Sequence, residues 1–204
     1  MKPADISARK GQYHYFRSLE NPHVSMTVNL DITHLYRAVK QRGYSFFLTL
    51  LHCVINAANA VAEFRQRIMG DQVVEFENCL SSHTVSLPDG SYCYCNLDCS
   101  KALEEFLPYA CLEVERARER ASLEDGADGA SLYFVTSLPW ISFTSITLPT
   151  ANRDDSNPRI SFGKFFEQGE KIFLPLGLQV HHALIDGIHI SRFFEELEKR
   201  LLAL

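Results

Sequence analysis

The sequence predicts an α/β two-layer sandwich: a mixed β-sheet with helices packed mainly on one face. Three observations carry this reading. Stretches whose apolar residues recur three and four apart, the helical spacing, are interspersed with stretches that alternate apolar and polar, the strand spacing. Strands in the second half are joined by hairpin-type turns, which gives a sheet with antiparallel as well as parallel neighbours. The 204 residues, 46% hydrophobic and 22% charged, show no break in composition and supply ample core for a single domain over 1–204.

Residues 9–17, with Tyr13, His14, Tyr15 and Phe16, enter the fold as a short helix or a turn. After Asn21-Pro22, residues 24–30 read as a strand with Val24, Met26, Val28 and Leu30 on one side. Asp31 is a good N-cap for a helix over 32–42 that stops at Gly43. Ser45 caps a second helix through Leu48, Leu51, Val54, Ile55 and Ala58. It is apolar over much of its circumference and is expected to be the most buried helix. Gly70-Asp71 between two apolar runs predicts a hairpin over 67–76. A strand over 84–87, a turn at Pro88-Asp89-Gly90 and a strand over 92–97 follow. Asp98 or Ser100 then caps a helix through Leu103, Phe106, Leu112, Val114 and Ala117, in which Pro108 threatens a kink.

Residues 122–129 are a loop by composition, dividing a helix-rich half from a strand-rich one. Residues 132–137 form a strand, broken at Pro139-Trp140 and resumed over 141–146. A polar loop over 152–158 leads to a strand over 160–166, and Gln168-Gly169-Glu170 closes a hairpin onto the next one. In that strand Ile172, Leu174, Leu176, Leu178, Val180 and His182 share a face. Asp186-Gly187 turns the chain into a helix over 188–197.

The net charge of -5 gives no electrostatic reason to expect nucleic acid or an anionic membrane as partner. The first residues carry no apolar signal core, and no run reaches the ~18 apolar residues needed to span a bilayer. A cytoplasmic protein is therefore expected. Its six cysteines then read as reduced thiols rather than a disulfide framework. Cys93 and Cys95 alternate along one strand face, and no Cys-x-x-Cys pair or second ligand cluster accompanies them, so no metal site is expected.

The chemistry concentrates in residues 179–189, Gln-Val-His-His-Ala-Leu-Ile-Asp-Gly-Ile-His, where an apolar run ends on two imidazoles followed by an acid and a glycine. A histidine at a strand end with an acid four residues on is a candidate general base. A pair of satisfied core histidines is the alternative.

This string, together with residues 134–145, Phe-Val-Thr-Ser-Leu-Pro-Trp-Ile-Ser-Phe-Thr-Ser, resembles the type A chloramphenicol acetyltransferase family over nearly the whole chain. The resemblance implies a homotrimer with active sites at subunit interfaces, acetyl-CoA as co-substrate with no permanently bound cofactor, and a small-molecule alcohol as acceptor. Carried over residue by residue, it implies His182 as general base and Thr136 as the hydroxyl that holds the oxyanion. Asp186 and Arg9 become a supporting ion pair, and Trp140, Lys164 and Phe165 become CoA contacts. Phe16, Tyr92 and Ser161 fall at acceptor-site positions. Ser45 stands where many relatives place a lysine near the CoA phosphate. Phe16 replaces a tyrosine, and Glu20 and Pro22 stand where small or apolar pocket residues are usual. The acceptor is thus open between chloramphenicol and another small alcohol, with a catalytically inactive trimeric binder as a further alternative. Dihydrolipoamide acyltransferases carry a similar His-x-x-x-Asp-Gly string beside lipoyl and linker segments, which this sequence does not show.

Overall fold

The structure is a computed structural model describing residues 1–124 and 128–204. The middle of the loop expected over 122–129 therefore lies outside the described residues. In chain order the elements are β1 (Lys2–Pro3), α1 (Lys10–Ser18), β2 (His23–Asp31), α2 (Thr33–Arg42), α3 (Phe46–Ala60), β3 (Gln66–Met69), β4 (Gln72–Glu75), β5 (Leu80–Ser86) and β6 (Tyr92–Leu97). Then come α4 (Leu103–Arg120), β7 (Leu132–Leu138), β8 (Arg159–Gly163), β9 (Phe166–Gln168), β10 (Lys171–His181) and α5 (Gly187–Leu202).

The main sheet is mixed, as expected. Its order is β2-β10-β8-β7-β5-β6, with β9 paired to β10; β5-β7 and β7-β8 are parallel and the other pairs antiparallel. A small second sheet joins β1, β4 and β3 through the turn at Gly70, whose φ of 61° suits glycine. Paired strand residues share a face, so Leu174, Leu176 and Leu178 of β10, Ile160 and Phe162 of β8, Val135 of β7 and Val85 of β5 form one apolar surface, each no more than 6% exposed. Helix α3 lies over this surface with nine buried residues, and α2, α4 and α5 pack around it. Burial of each such aliphatic side chain contributes roughly 1.5–3 kcal/mol.

Capping departs from expectation at two of three helices. Ser45 caps α3, its Oγ accepting from Leu48 N at 3.4 Å. Asp31 lies one position too early for α2: Ile32 occupies the N-cap, and Asp31 Oδ1 accepts from Thr33 N at 3.0 Å in a turn of its own. Likewise Asp98 bonds Ser100 N at 3.0 Å in a local turn, and α4 starts three residues later behind Ala102. In both places the short acid prefers its own backbone two residues on. Leu112, expected in the core, faces outward at 51% exposure. Pro108 sits inside α4 without ending it.

The strand expected over 141–146 is absent. These residues cross the back of the sheet without pairing, and Phe143 and Ile146 seat over glycines: a Cβ at Gly177 would lie 2.5 Å from Ile146 Cγ2, and one at Gly163 would lie 3.0 Å from Phe143 Cε1. The apolar alternation thus reports side chains pressed on a sheet rather than belonging to it. Gly177→Ala is expected to lower stability by about 1–3 kcal/mol, since overpacking against a β-branched side chain outweighs the ~0.4–1 kcal/mol gained from a stiffer unfolded chain. A thermal melt checks this, and an unchanged melting temperature would mean the crossing segment is not seated there.

Candidate active site

Strand β10 ends at His181, one residue earlier than expected, so His182 stands in the turn that follows the strand. Its N–H donates to Pro22 O at 2.9 Å, while Leu184 N and Ile185 N both donate to His181 O at 3.0 Å. This turn brings His182 to Asp186 at the start of α5, with Nδ1 3.2 Å from Asp186 Oδ1. The other carboxylate oxygen lies 2.6 Å from Arg9 Nη2, and Arg9 Nη1 donates to Leu184 O. Phe16 of α1 stacks flat on the imidazole, with centroids 3.8 Å apart and planes 15° from parallel.

Four residues singled out in the sequence therefore meet. A carboxylate held by an arginine on one side lies within ion-pair distance of a ring nitrogen on the other, without hydrogen-bond alignment, and its charge favours a proton on Nδ1. Nδ1 is buried while a third of the side chain is exposed, leaving Nε2 as the nitrogen open to a reactant. The two neighbouring histidines are structural. His181 Nε2 lies 3.0 Å from Arg153 O, and its Nδ1 accepts from Ala183 N at 3.2 Å. His189 Nδ1 accepts from Asp186 N at 3.0 Å, and its Nε2 lies 3.5 Å from Glu63 Oε1.

A cleft of about 780 Å³ opens elsewhere, between α3 and the helix-facing side of β5, β7 and β8. Trp140, Lys164 and Phe165 all line it, beside Ser45. The Phe165 ring lies 5.3 Å from that of Tyr36 and 5.8 Å from that of Phe46. Arg118 and His83 also line the cleft, and sequence reasoning found neither. The signal for His83 was the strand alternation Ser81, His83, Val85, missed because β5 begins four residues before the expected strand.

The remaining candidates stand apart. Thr136 pairs with Ser161, and Ser161 with Gly177, five residues before His182. Within one chain Thr136 and His182 are thus roughly 16 Å apart along the strand direction and a further ~10 Å across two strand spacings. Alternation turns Thr136 to the back of the sheet, while its neighbour Ser137 lines the cleft. Ser161 is 1% exposed and also faces the back. Tyr92 is half exposed at the far sheet edge, on β6. Cys93 and Cys95 are core residues, and burial pushes the Cys95 thiol up to about 12. Among the described residues no group of three or more histidines, cysteines or acids is placed to hold a metal, and no helix is long and apolar enough to cross a membrane.

Residues 4–198 match the family model for chloramphenicol acetyltransferase. A chloramphenicol acetyltransferase of Proteus mirabilis is 30% identical over 194 residues, covering 94% of this chain and 89% of that protein. One from Escherichia coli is 30% identical over 200 residues, covering 96% and 91%. Among solved structures, a chloramphenicol acetyltransferase superposes with a TM-score of 0.84 at 28% identity, covering 98% of this chain and 99% of that one. The cubic core of a pyruvate dehydrogenase multienzyme complex superposes with a TM-score of 0.66 at 22% identity, covering 99% and 90%, a likeness of fold alone.

Proposed function

Because the chain belongs to the chloramphenicol acetyltransferase family, whose members are acyltransferases, we propose that it transfers the acetyl group of acetyl-CoA to a hydroxyl of chloramphenicol, inactivating the antibiotic in the cytoplasm. In this reading the chain works as one domain over 1–204, of the family's type A. His182 Nε2 takes the proton from the acceptor hydroxyl, the oxygen attacks the thioester carbonyl, and the CoA thiolate leaves without an acyl-enzyme. Asp186, fixed by Arg9, and the flat face of Phe16 hold the imidazole for that step. Thr136 donates to the oxyanion. The cleft with Trp140, Lys164 and Phe165 receives CoA, and Ser161 and Tyr92 belong to the acceptor side.

The observation that carries the arrangement is the separation of His182 from Thr136 in one chain, too wide for both to touch one carbonyl carbon. The reading therefore assigns the site to two copies of the chain, in a homotrimer, with His182 from one subunit and Thr136 from the next. Strand β2, which flanks the His182 end of β10, supports it. That strand is a sheet edge with Val24 and Met26 partly exposed and Val28 36% exposed, an apolar edge of the kind that is normally covered.

Two assays test this. Thiol release from acetyl-CoA with chloramphenicol, run beside a panel of other alcohols, reads the acceptor. Phe16, which brings no hydroxyl to the site, favours a different alcohol as the second reading, and CoA binding without turnover would mark an inactive binder. Mixing His182→Ala and Thr136→Ala subunits by unfolding and refolding is expected to restore about a quarter of wild-type activity, because random assembly pairs one intact residue with the other at one interface in four. No recovery above the two parents would place both residues in one subunit's site.

A further inference from the structure

Helix α1 carries Phe16 to His182, yet packing anchors it weakly. Of its nine residues only Tyr13 is buried, and an element with so little apolar contact shifts easily. Polar ties hold it instead, one at each end. Ahead of the first turn, Arg9 grips Asp186 and the Leu184 carbonyl. In the last turn Arg17 grips its surroundings with all three side-chain nitrogens. Nε donates to Asp154 Oδ1 at 3.1 Å and Nη2 to Asp154 Oδ2 at 2.9 Å, a two-point pair. Nη2 also donates to Gly70 O at 2.7 Å, in the turn between β3 and β4, and Nη1 donates to Tyr13 OH at 3.1 Å. Hydrogen bonds from Arg17 hold the Asp154 carboxyl below the usual carboxylate range, as a fork closed on a carboxylate should.

The loop that receives Arg17 also holds the other half of the ring stack. The Arg153 guanidinium donates to Arg17 O, and the Arg153 carbonyl lies 3.0 Å from His181 Nε2. His181 in turn opens the bend that presents His182. Arg153 and Asp154 are therefore one reference point for both rings, reaching Phe16 through Arg17 and His182 through His181. Tyr13 and Arg17, four residues apart, share a face of α1. That face clasps the loop, while the adjacent Phe16 lays its ring on the imidazole at 3.8 Å. A helix tied at Arg9 alone is free to pivot about that end. The second tie removes the freedom.

We propose that Arg17 is a positioning residue for the general base: by clasping Asp154 it fixes the C-terminal end of α1 and keeps Phe16 stacked on His182. The assignment rests on His182 as the base. In this role Arg17 touches no reactant, and its effect passes through the Phe16 ring.

One readout is independent of turnover. In proton–carbon spectra of histidine-labelled protein, the His182 ring signals are expected upfield of an unstacked histidine's, because the Phe16 face shields them. His182→Ala identifies those signals, and Phe16→Leu should abolish their displacement. Arg17→Met is expected to lose most of the displacement and to lower kcat about tenfold, within the ~10²-fold that an ångström of misplacement can cost. KM for acetyl-CoA should not move, since the cleft with Trp140 shares no residue with α1 or residues 152–155. Asp154→Asn reaches the same pair from its more exposed member and should give the same changes in weaker form, which covers a failure of Arg17→Met to fold. In a Phe16→Leu background, Arg17→Met is expected to alter kcat by about twofold or less, because the residue it works through is already gone. An equal kcat loss in both backgrounds would make Arg17 a support of the fold alone and overturn the assignment. His182 signals that stay in place in both Arg17→Met and Asp154→Asn would overturn it too. Full activity in His182→Ala would remove the base and the assignment with it, and is told apart because the ring signals would then still move in Arg17→Met while kcat would not.

Discussion

A His182→Ala protein is expected to turn over about 10²- to 10⁴-fold more slowly than wild type, with little change in melting temperature. The size follows from what the substitution removes. General base catalysis is worth that factor, roughly 3–5 kcal/mol of barrier at 1.4 kcal/mol per factor of ten. What positions acetyl-CoA stays in place, because the cleft with Trp140, Lys164 and Phe165 shares no residue with the His182 turn. The loss should therefore fall on kcat, with KM for acetyl-CoA near its wild-type value. Stability is spared because the imidazole is a third exposed, and the turn is held by backbone bonds to His181 O and Pro22 O rather than by the ring. Removing Arg9 or Asp186 reaches the same nitrogen indirectly. Without Asp186 nothing faces Nδ1, the other tautomer becomes accessible, and a fraction of the rings points a proton where the lone pair is needed. That loss should be smaller than His182→Ala and should be recovered partly by Asp186→Asn, whose side-chain oxygen still accepts. Full activity in His182→Ala would mean that some other group accepts the acceptor's proton.

The residues that meet around His182 were legible because their spacing is local. A strand ending on histidine, an acid four residues on and a glycine opening a helix form one continuous stretch, and chain geometry alone brings its ends together. The Arg9 contact came instead from the family resemblance, since no periodicity links residue 9 to residue 186; the resemblance placed Phe16 at the acceptor site, and its stacking on His182 is seen only in the fold. Fold class was legible for the same reason as the local motif: β10, α3 and α5 each carry a strong single-period pattern. What failed shares a different feature. The 141–146 stretch alternates like a strand, yet it packs on glycines of β8 and β10, and a sequence does not say whether an apolar face meets its own sheet or lies across another. Asp31 and Asp98 carry cap chemistry that their own turns consume. His83 needed the β5 register, which a start at residue 84 hides, and the burial that leaves it unpaired is a tertiary fact.

Acid should unfold the ligand-free protein earlier than its carboxylates alone would dictate. Burial pushes the pKa values of His83 and His181 down to about 4, from 6.5 when unfolded. For His181 the Nδ1 contact agrees with that direction, since it accepts from Ala183 N and a proton there would face a donor, while the Nε2 contact with Arg153 O opposes it and is outweighed by burial. A lowered histidine pKa means the unfolded chain binds protons that the folded chain refuses. Stability from these groups is thus fully present above pH 6.5, falls as the pH drops, and is gone once the pH has passed about 4. At pH 5 each imidazole costs about 2 kcal/mol relative to pH 7.5, and the pair together a large part of the 5–15 kcal/mol typical of a domain. The carboxylates paired with arginine, Asp154 with Arg17 and Asp155 with Arg159, are held below their usual range and act later, as the pH falls below about 4. Urea melts at pH 7.5 and pH 5 should differ by roughly 4 kcal/mol in wild type, and His83→Leu should remove about half of that difference. The remainder includes His181, whose carbonyl accepts from Leu184 and Ile185, so its protonation loosens the same turn that presents His182; His52 and His189, whose pKa values burial also lowers, add to it with the same sign. Activity in wild type and His83→Leu alike should then fall over the pH range in which His181 titrates. Equal stability at the two pH values would show that the folded protein accommodates both imidazolium ions.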